Sequence, residues 1–305
     1  MREVASDLSI SVTKVSGGTF ISDFKKLIKL RLTFLVVFSA SVSFLIASKE
    51  QGAGVNWLNL LILTVGGFLV TGAANGFNEI IEKDLDRLMS RTADRPIPSG
   101  RMTTGQALVL SLFMGIMGTL ILLRLNFLTG VLSVFSILLY AFLYTPSKRK
   151  SPVSVFIGAF PGALPPLIGY FAAFERPEIS WIPIILFLVQ FVWQFPHFWS
   201  IAWVLDDDYK KAGFRLLPTT RRDKVSALVS LVSTVILIPV SLLPTILGFG
   251  GYTIAVVSLA GGLAFCWYGL KLFQNLDVTA AKKVMFCSFI YLPVIQLVML
   301  FDFIV

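Results

Sequence analysis

Asn78, Glu82 and Asp86 stand at i, i+4 and i+8 near the end of a long apolar run. On a helix each step of four turns by only about 40°, so the three side chains share one face, with Asn75 a turn earlier close to it. Arg87, Arg91 and Arg95 follow within NGFNEIIEKDLDRLMSRTADRPIPSGR, residues 75–101. Hard oxygen donors of this kind suit Mg2+, which commonly bridges one or two carboxylates to phosphate oxygens. The arginines suit the phosphates, because the planar guanidinium fork matches such oxygens. Glu79 and Asp84 point off that face and read as solvated or paired with nearby cations. The plainer alternative for the whole row is a wet helix end neutralised by local arginines.

A second acidic cluster, Asp206-Asp207-Asp208, precedes Tyr209, Lys210, Lys211, Ala212 and Gly213. Alone it is an ordinary helix terminus. Facing the first cluster across a shared cavity, it supplies what a metal-bridged diphosphate needs, charge that holds the leaving group while a carbon–oxygen bond ionises. Lys148 and Arg149, in Tyr144–Lys150, read either as further grips on that diphosphate or as simple loop charge. Tyr144 reads as an interfacial anchor or a cavity-lining residue. Gln190, Gln194 and His197 make a polar stripe at i, i+4, i+7 in an apolar run. His197 is the sole histidine. It is suited to packing, to ligating haem iron, to orienting a substrate or to moving a proton.

These residues need elements to hold them. The chain has 305 residues, 56% hydrophobic and 14% charged, with mean hydropathy +0.82. That composition excludes a soluble domain and indicates a polytopic membrane protein. The net charge of +9 is concentrated between apolar runs, which speaks for membrane topology and against nucleic acid. Nine runs approach the roughly 20 residues a bilayer crossing requires: 32–48, 57–81, 104–123, 126–145, 153–174, 181–205, 225–247, 252–270 and 284–304. In lipid each must be helical, because an open sheet leaves backbone groups unsatisfied.

The expected fold is therefore all-α, with nine transmembrane helices around a central cavity opening to the cytoplasmic side. Residues 25–305 form one domain, and residues 1–24 form a flexible tail without a signal-peptide core. The first span borrows Leu27 and Leu30 while Lys29 and Arg31 snorkel. Of the 26 lysines and arginines, 23 fall in the tail and alternate loops. This bias puts the N-terminus in the cytoplasm and the C-terminus outside; the expected location is a bacterial inner membrane. Cys266 and Cys287 lack metal-ligand spacing and read as helix-packing residues. Gly158 and Gly162 form a small-xxx-small pair, and Pro161, Pro165 and Pro166 free carbonyls nearby.

The pattern Asn78-Glu79-x-x-Glu82-x-x-x-Asp86, together with RTADRPIPSGR, YTPSKRKSP, PGALPPLIGY, WQFPHFW and DDDYKKAG, resembles the UbiA-type intramembrane prenyltransferases. Within that superfamily it is most similar to the haem-farnesylating branch, from about Lys25 to the C-terminus. Two departures stand out. Glu79 and Glu82 occupy positions where many members have Asp, and Ser154 stands where the branch usually has Asn. The resemblance implies Mg2+-dependent transfer of the farnesyl group of farnesyl diphosphate to a vinyl group of haem B, with water addition, giving haem O. It implies that Asn78, Glu82, Asp86, Asp207 and Asp208 bind Mg2+–diphosphate, Asp208 matching the second motif best and Asp207 next. Arg91, Arg95, Lys148, Arg149 and Lys211 would hold phosphate oxygens. Tyr144 and Gln194 would join the substrate site, and His197 would face the porphyrin as ligand or base. Implied partners are the two substrates, membrane lipid, and haem A synthase or the terminal-oxidase assembly machinery. The competing readings are a prenyltransferase for an aromatic quinone precursor, a cation-coupled transporter and a non-catalytic haem-binding protein. The PHFW element and Glu82 argue against the first. The placement of ionisable groups at one end of the spans argues against the second.

Overall fold

The computed structural model describes residues 19–52, 54–178 and 180–304. Among them every extended element is a helix: α1 (Phe20–Leu27), α2 (Leu30–Glu50), α3 (Trp57–Asp86), α4 (Thr104–Leu123), α5 (Phe127–Ile137), α6 (Thr145–Ser147), α7 (Ser154–Phe171), α8 (Trp181–Val204), α9 (Asp206–Lys211), α10 (Lys224–Ile246), α11 (Tyr252–Asn275) and α12 (Val278–Phe301). A π-helical segment, Leu138–Tyr144, joins α5 to α6, so that Phe127–Ser147 is one continuous rod. Nine helices among the described residues are long and apolar enough to cross a membrane. They match the nine expected runs in order.

The nine rods follow one another around a ring. Each packs against the next, from α2 through α3, α4, the α5 rod, α7, α8, α10 and α11 to α12, and α12 closes back on α2. Contacts of α2 with α7, and of α8 with α12, cross the middle. The outward faces carry what lipid tolerates: on α4, Val109, Phe113, Ile116 and Leu120 are exposed. Its inward face is small, with Ala107, Ser111 and Gly118 buried against α3. Gly66 and Gly76 of α3 meet Leu122 and Ser111 so closely that a methyl group at either would clash. Close backbone approach of this kind is how helices associate where lipid offers no hydrophobic driving force.

One network of mid-membrane polar groups is satisfied inside the ring. Pro166 has no N–H to give to the carbonyl of Gly162, four residues earlier, and Gln190 Nε2 takes that carbonyl at 2.7 Å. Gln190 Oε1 accepts from Ser39 Oγ at 2.6 Å and from Gln296 Nε2 at 2.9 Å. One node thus ties α2, α7, α8 and α12. Gln296→Ala removes a donor and leaves Gln190 and Ser39 short of a partner. The expected loss is about 1–2 kcal/mol, read as a lower melting temperature in detergent.

Two expectations about the N-terminal region need correction. Residues 20–24, assigned to the tail, are helical: Thr19 caps α1 by accepting from Ser22 N at 3.3 Å. The reason is tertiary, since Asp23 is buried against Arg101 Nε at 2.8 Å and Leu27 packs with Ile97, Met102 and Ala107. Residues 1–18 of the expected tail lie outside the described residues. Lys29 does not snorkel. It sits between α1 and α2 in the left-handed region, φ 48°, which breaks the helix and turns the side chain inward.

Candidate active site

The length of α3 sets the site. Thirty residues rise about 45 Å, against about 30 Å of hydrocarbon, so the last turns of α3 project beyond the membrane core. Asn78, Glu82 and Asp86 lie there, all buried and on one face. Asn78 Nδ2 donates to Glu82 Oε2 at 2.9 Å and to Thr145 Oγ1 at 3.0 Å. Each oxygen-bearing side chain also holds a cation: Lys29 Nζ on Asn78 Oδ1 at 2.6 Å, Lys148 Nζ on Glu82 Oε1 at 2.9 Å, and Arg95 Nη1 on Asp86 Oδ2 at 2.5 Å. Thr92 Oγ1 donates to the carbonyl of Asp86 and folds the following loop back over the helix end.

The electrostatics of the two lysines differ. Burial, aided by Arg95 and Lys148, pushes the Lys29 ammonium well below the usual lysine range against the pull of Glu82 and Asp86. Burial acts on Lys148 as well, yet Glu82, with Tyr140 and Tyr209, holds it above that range. Lys148 also lies over the Tyr144 ring, 4.8 Å from its centroid, and 5.6 Å from that of Phe214. Tyr144 is buried in the π-helical turn against Gly158, which leaves room for its ring. A π-helical insertion rotates the residues beyond it, and here it precedes the residues that meet the carboxylates.

The second acidic cluster forms α9. Asp208 accepts from the backbone N–H groups of Ser90 (2.9 Å) and Arg91 (3.2 Å) and from Lys211 Nζ (3.0 Å). Lys211 Nζ also reaches Ser90 Oγ at 3.2 Å. The backbone of Arg215 donates to the Lys148 carbonyl at 2.8 Å, so the three basic loops converge around the end of α3. Partial burial opposes ionisation of Asp208, but the two amides and Lys211 outweigh it and bring its pKa to about 2. A depressed carboxylate contributes stability above its unfolded value near 3.8, and that contribution is lost as pH falls through about 2. Hydrogen exchange at the Ser90 and Arg91 amides is therefore expected to stay slow at pH 5. After correction for intrinsic chemistry, their protection should fall as pH drops from about 4 to 2.

Other expectations are revised. Asp207 is exposed and paired with Arg222 Nη1 at 3.0 Å, because α9 turns only its neighbour Asp208 toward the α3 loop. Gln194 is buried with its amide committed to the carbonyls of Ala159 and Gln190, in the space that Gly162 leaves open, so it clips α7 to α8. Glu79 is buried, not solvated: its Oε1 accepts from Ile97, the one amide in Pro96-Ile97-Pro98 able to donate. Asp84 is exposed beside Arg87, as expected. The side chains of Arg91 and Arg149 are exposed at the rim. His197 lies on α8 against α12, its Nδ1 2.8 Å from Ser288 Oγ. Sequence reasoning passed over Lys29 and Thr145. In the sequence Lys29 reads as topological charge and a snorkelling side chain, and nothing in its spacing from Lys25 or Lys26 marks it as a partner of Asn78.

Among the described residues no three histidine, cysteine, aspartate or glutamate side chains come together as a metal cage. Glu82, Asp86, Asp207 and Asp208 are each paired with a cation, Lys148, Arg95, Arg222 and Lys211 respectively. The α3 face alone still fits a hard cation. Asp86 Oδ1 is buried with no hydrogen-bond partner, and Asn78 and Glu82 add oxygen donors beside it.

The UbiA prenyltransferase family model matches residues 36–291. Protoheme IX farnesyltransferase from Cytophaga hutchinsonii is 46% identical over 279 residues, 91% of this chain and 96% of that one. The protein of the same name from Christiangramia forsetii is 40% identical, covering 94% and 95%. Among solved structures, digeranylgeranylglyceryl phosphate synthase superposes with a TM-score of 0.76 at 21% identity, covering 92% of this chain and 98% of that one. A UbiA homolog from Archaeoglobus fulgidus bound to GPP and Mg2+ gives 0.67 at 14%, covering 91% and 99%. The nine-rod ring, the oxygen-bearing face at the end of α3 and these similarities have one conclusion: the chain belongs to the UbiA prenyltransferase family.

Proposed function

We propose that this protein transfers the farnesyl group of farnesyl diphosphate to a vinyl group of haem B, with addition of water, giving haem O and diphosphate. The observation that carries the reading is the buried Asn78–Glu82–Asp86 face ringed by Lys29, Arg95 and Lys148 at the mouth of a membrane helix. The similarity to protoheme IX farnesyltransferases over more than nine-tenths of the chain supports the choice of acceptor.

Bound Mg2+ supplies positive charge that stabilises the departing diphosphate. The α3 face supplies the oxygen donors that hold it. Lys29, Lys148 and Arg95, each already seated on one of those oxygens, are placed to grip phosphate oxygens, with Lys211, Arg91 and Arg149 at the rim. Asp208 locks the loop that carries Arg91 and Arg95, and so orients the cations rather than offering a free carboxylate. The Tyr144 ring beneath Lys148 gives an apolar, electron-rich wall where positive charge develops on the allylic carbon. The apolar ring of helices admits a 15-carbon chain and a porphyrin from lipid. In this reading the N-terminus and the catalytic loops face the cytoplasm, the C-terminus lies outside, and haem A synthase or oxidase assembly receives the product.

Purified protein given haem B, farnesyl diphosphate and Mg2+ is expected to yield haem O by mass spectrometry. EDTA should abolish the product and Mg2+ should restore it. Prenylation of 4-hydroxybenzoate with haem B left untouched would overturn the choice of acceptor. Haem binding with no Mg2+-dependent product would overturn the enzyme reading.

A further inference from the structure

His197 is the sole histidine, and its surroundings determine which ring nitrogen carries the proton. Its Nδ1 lies 2.8 Å from Ser288 Oγ. A serine hydroxyl has one proton to give, and Ser288 gives it to the carbonyl of Met285, at 2.6 Å. With that proton on the Met285 carbonyl, which can only accept, Ser288 Oγ faces Nδ1 with a lone pair, an arrangement that favours the hydrogen on Nδ1. Nε2 is left with its lone pair, and it makes no hydrogen bond among the described residues.

The ring is also clamped. Trp193, one turn earlier, stacks on it at 4.4 Å between centroids and 18° between planes. The Trp193 indole N–H donates to the backbone carbonyl of Ser288, at 2.9 Å. Phe289 meets the imidazole edge-on at 5.3 Å, and Phe198 lies at 5.4 Å. Both polar anchors of this stretch of α8 thus fall on one buried residue of α12. The shell holds no carboxylate to partner a positive imidazolium, which favours a neutral donor of an electron pair. His197 sits seven residues before the end of α8, about 10 Å down the helix axis from the turn into α9.

We infer that Ser288 is a positioning residue that holds His197 as the Nδ1–H tautomer and presents a bare Nε2 as an axial ligand for the iron of the porphyrin substrate. The inference rests on the proposed function for the identity of that porphyrin, but not for the tautomer. A hydrogen bond to the far nitrogen orients a ligating imidazole and raises its basicity.

The single histidine makes the test direct. Protein labelled with 15N-histidine, without haem, is expected to show one protonated nitrogen at Nδ1 and one bare nitrogen at Nε2 by NMR. Ser288→Ala should populate the Nε2–H form, and Ser288→Thr, which keeps the hydroxyl, should restore the original pattern. An Nε2–H signal in the wild type, or no change in Ser288→Ala, would overturn the inference. In the second arm haem B is titrated in. Resonance Raman of the ferrous complex should show an iron–histidine stretch that His197→Ala abolishes. Ser288→Ala should lower its frequency and weaken haem binding by about 10–100-fold. An identical stretch in wild type and Ser288→Ala would overturn the inference, as would an iron–ligand spectrum indifferent to His197. The first arm contains no haem, so a wrong choice of porphyrin would appear as absent haem binding with the tautomer intact. A wrong role for Ser288 would already appear in the first arm, before any haem is added.

Discussion

Glu82→Gln is expected to lower haem O formation by about 10²–10³-fold, the scale of losing one charged group at a site where charge develops. The substitution keeps the shape of the side chain and removes its charge. It strips Lys148 of the carboxylate that holds it at 2.9 Å, and it leaves Asn78 Nδ2 an acceptor only when the new amide turns its oxygen that way, which sets an NH2 against Lys148. The side chains of Lys148 and Glu82 are only 11% and 5% exposed, so breaking the pair also destabilises the protein, by about 3–5 kcal/mol. The two effects separate in a second variant. Glu82→Gln with Lys148→Met removes the stranded charge and should recover most of the lost thermal stability, while activity stays low. The idea that Glu82 acts in the chemistry fails if the double variant regains activity along with stability.

Gly169→Val is expected to prevent recovery of folded protein altogether. Gly169 lies in α7 where that helix crosses α2, and a β-carbon there would fall on the backbone carbonyl of Ala40. Backbone cannot rotate aside as a side chain can, so relief requires moving one rod of the ring away from another. Overpacking in a well-filled interior costs about 1–3 kcal/mol for extra methylenes, and more where the obstacle is main chain. Gly169→Ala brings the same β-carbon, so it should already lower the yield of folded protein sharply, less completely than Val because no further methyl groups follow. Size-exclusion profiles in detergent check both; a monodisperse Gly169→Val peak at the wild-type position and yield would show that α2 and α7 do not approach as described.

The fold was legible because lipid removes alternatives. Nine apolar runs separated by basic loops leave little but nine helices, and the expected ranges differ from the observed rods mainly at their ends. The face formed by Asn78, Glu82 and Asp86 was legible for a similar reason, since it depends on helical spacing alone. What escaped sequence reasoning was decided across the chain. Lys29 reaches Asn78 from 49 residues away, and the turn that aims it needs a left-handed backbone in a non-glycine residue. Asp207 and Asp208 are adjacent and alike in sequence, and only the docking of α9 on Ser90 and Arg91 separates their roles. Gln194 looked like a cavity residue because a polar side chain in an apolar helix suggests function. Its partner carbonyls, on a proline-rich neighbouring helix, cannot be read from periodicity. Glu79 shows the reverse error, since facing away from the carboxylate line did not mean facing water.

The node of Ser39, Gln190, Gln296 and the Gly162 carbonyl joins residues from the first, sixth, ninth and fifth spans. Helices enter a membrane in the order in which they are made, so this node has a time of completion. When α8 arrives, Gln190 can already cap the carbonyl that Pro166 leaves free, but its own oxygen and Ser39 still lack the amide from the last helix. Only α12, some 100 residues later, brings that group. The node is therefore complete only with the last span: without α12, Gln190 Oε1 and Ser39 Oγ keep their bond to each other but lack the amide of Gln296.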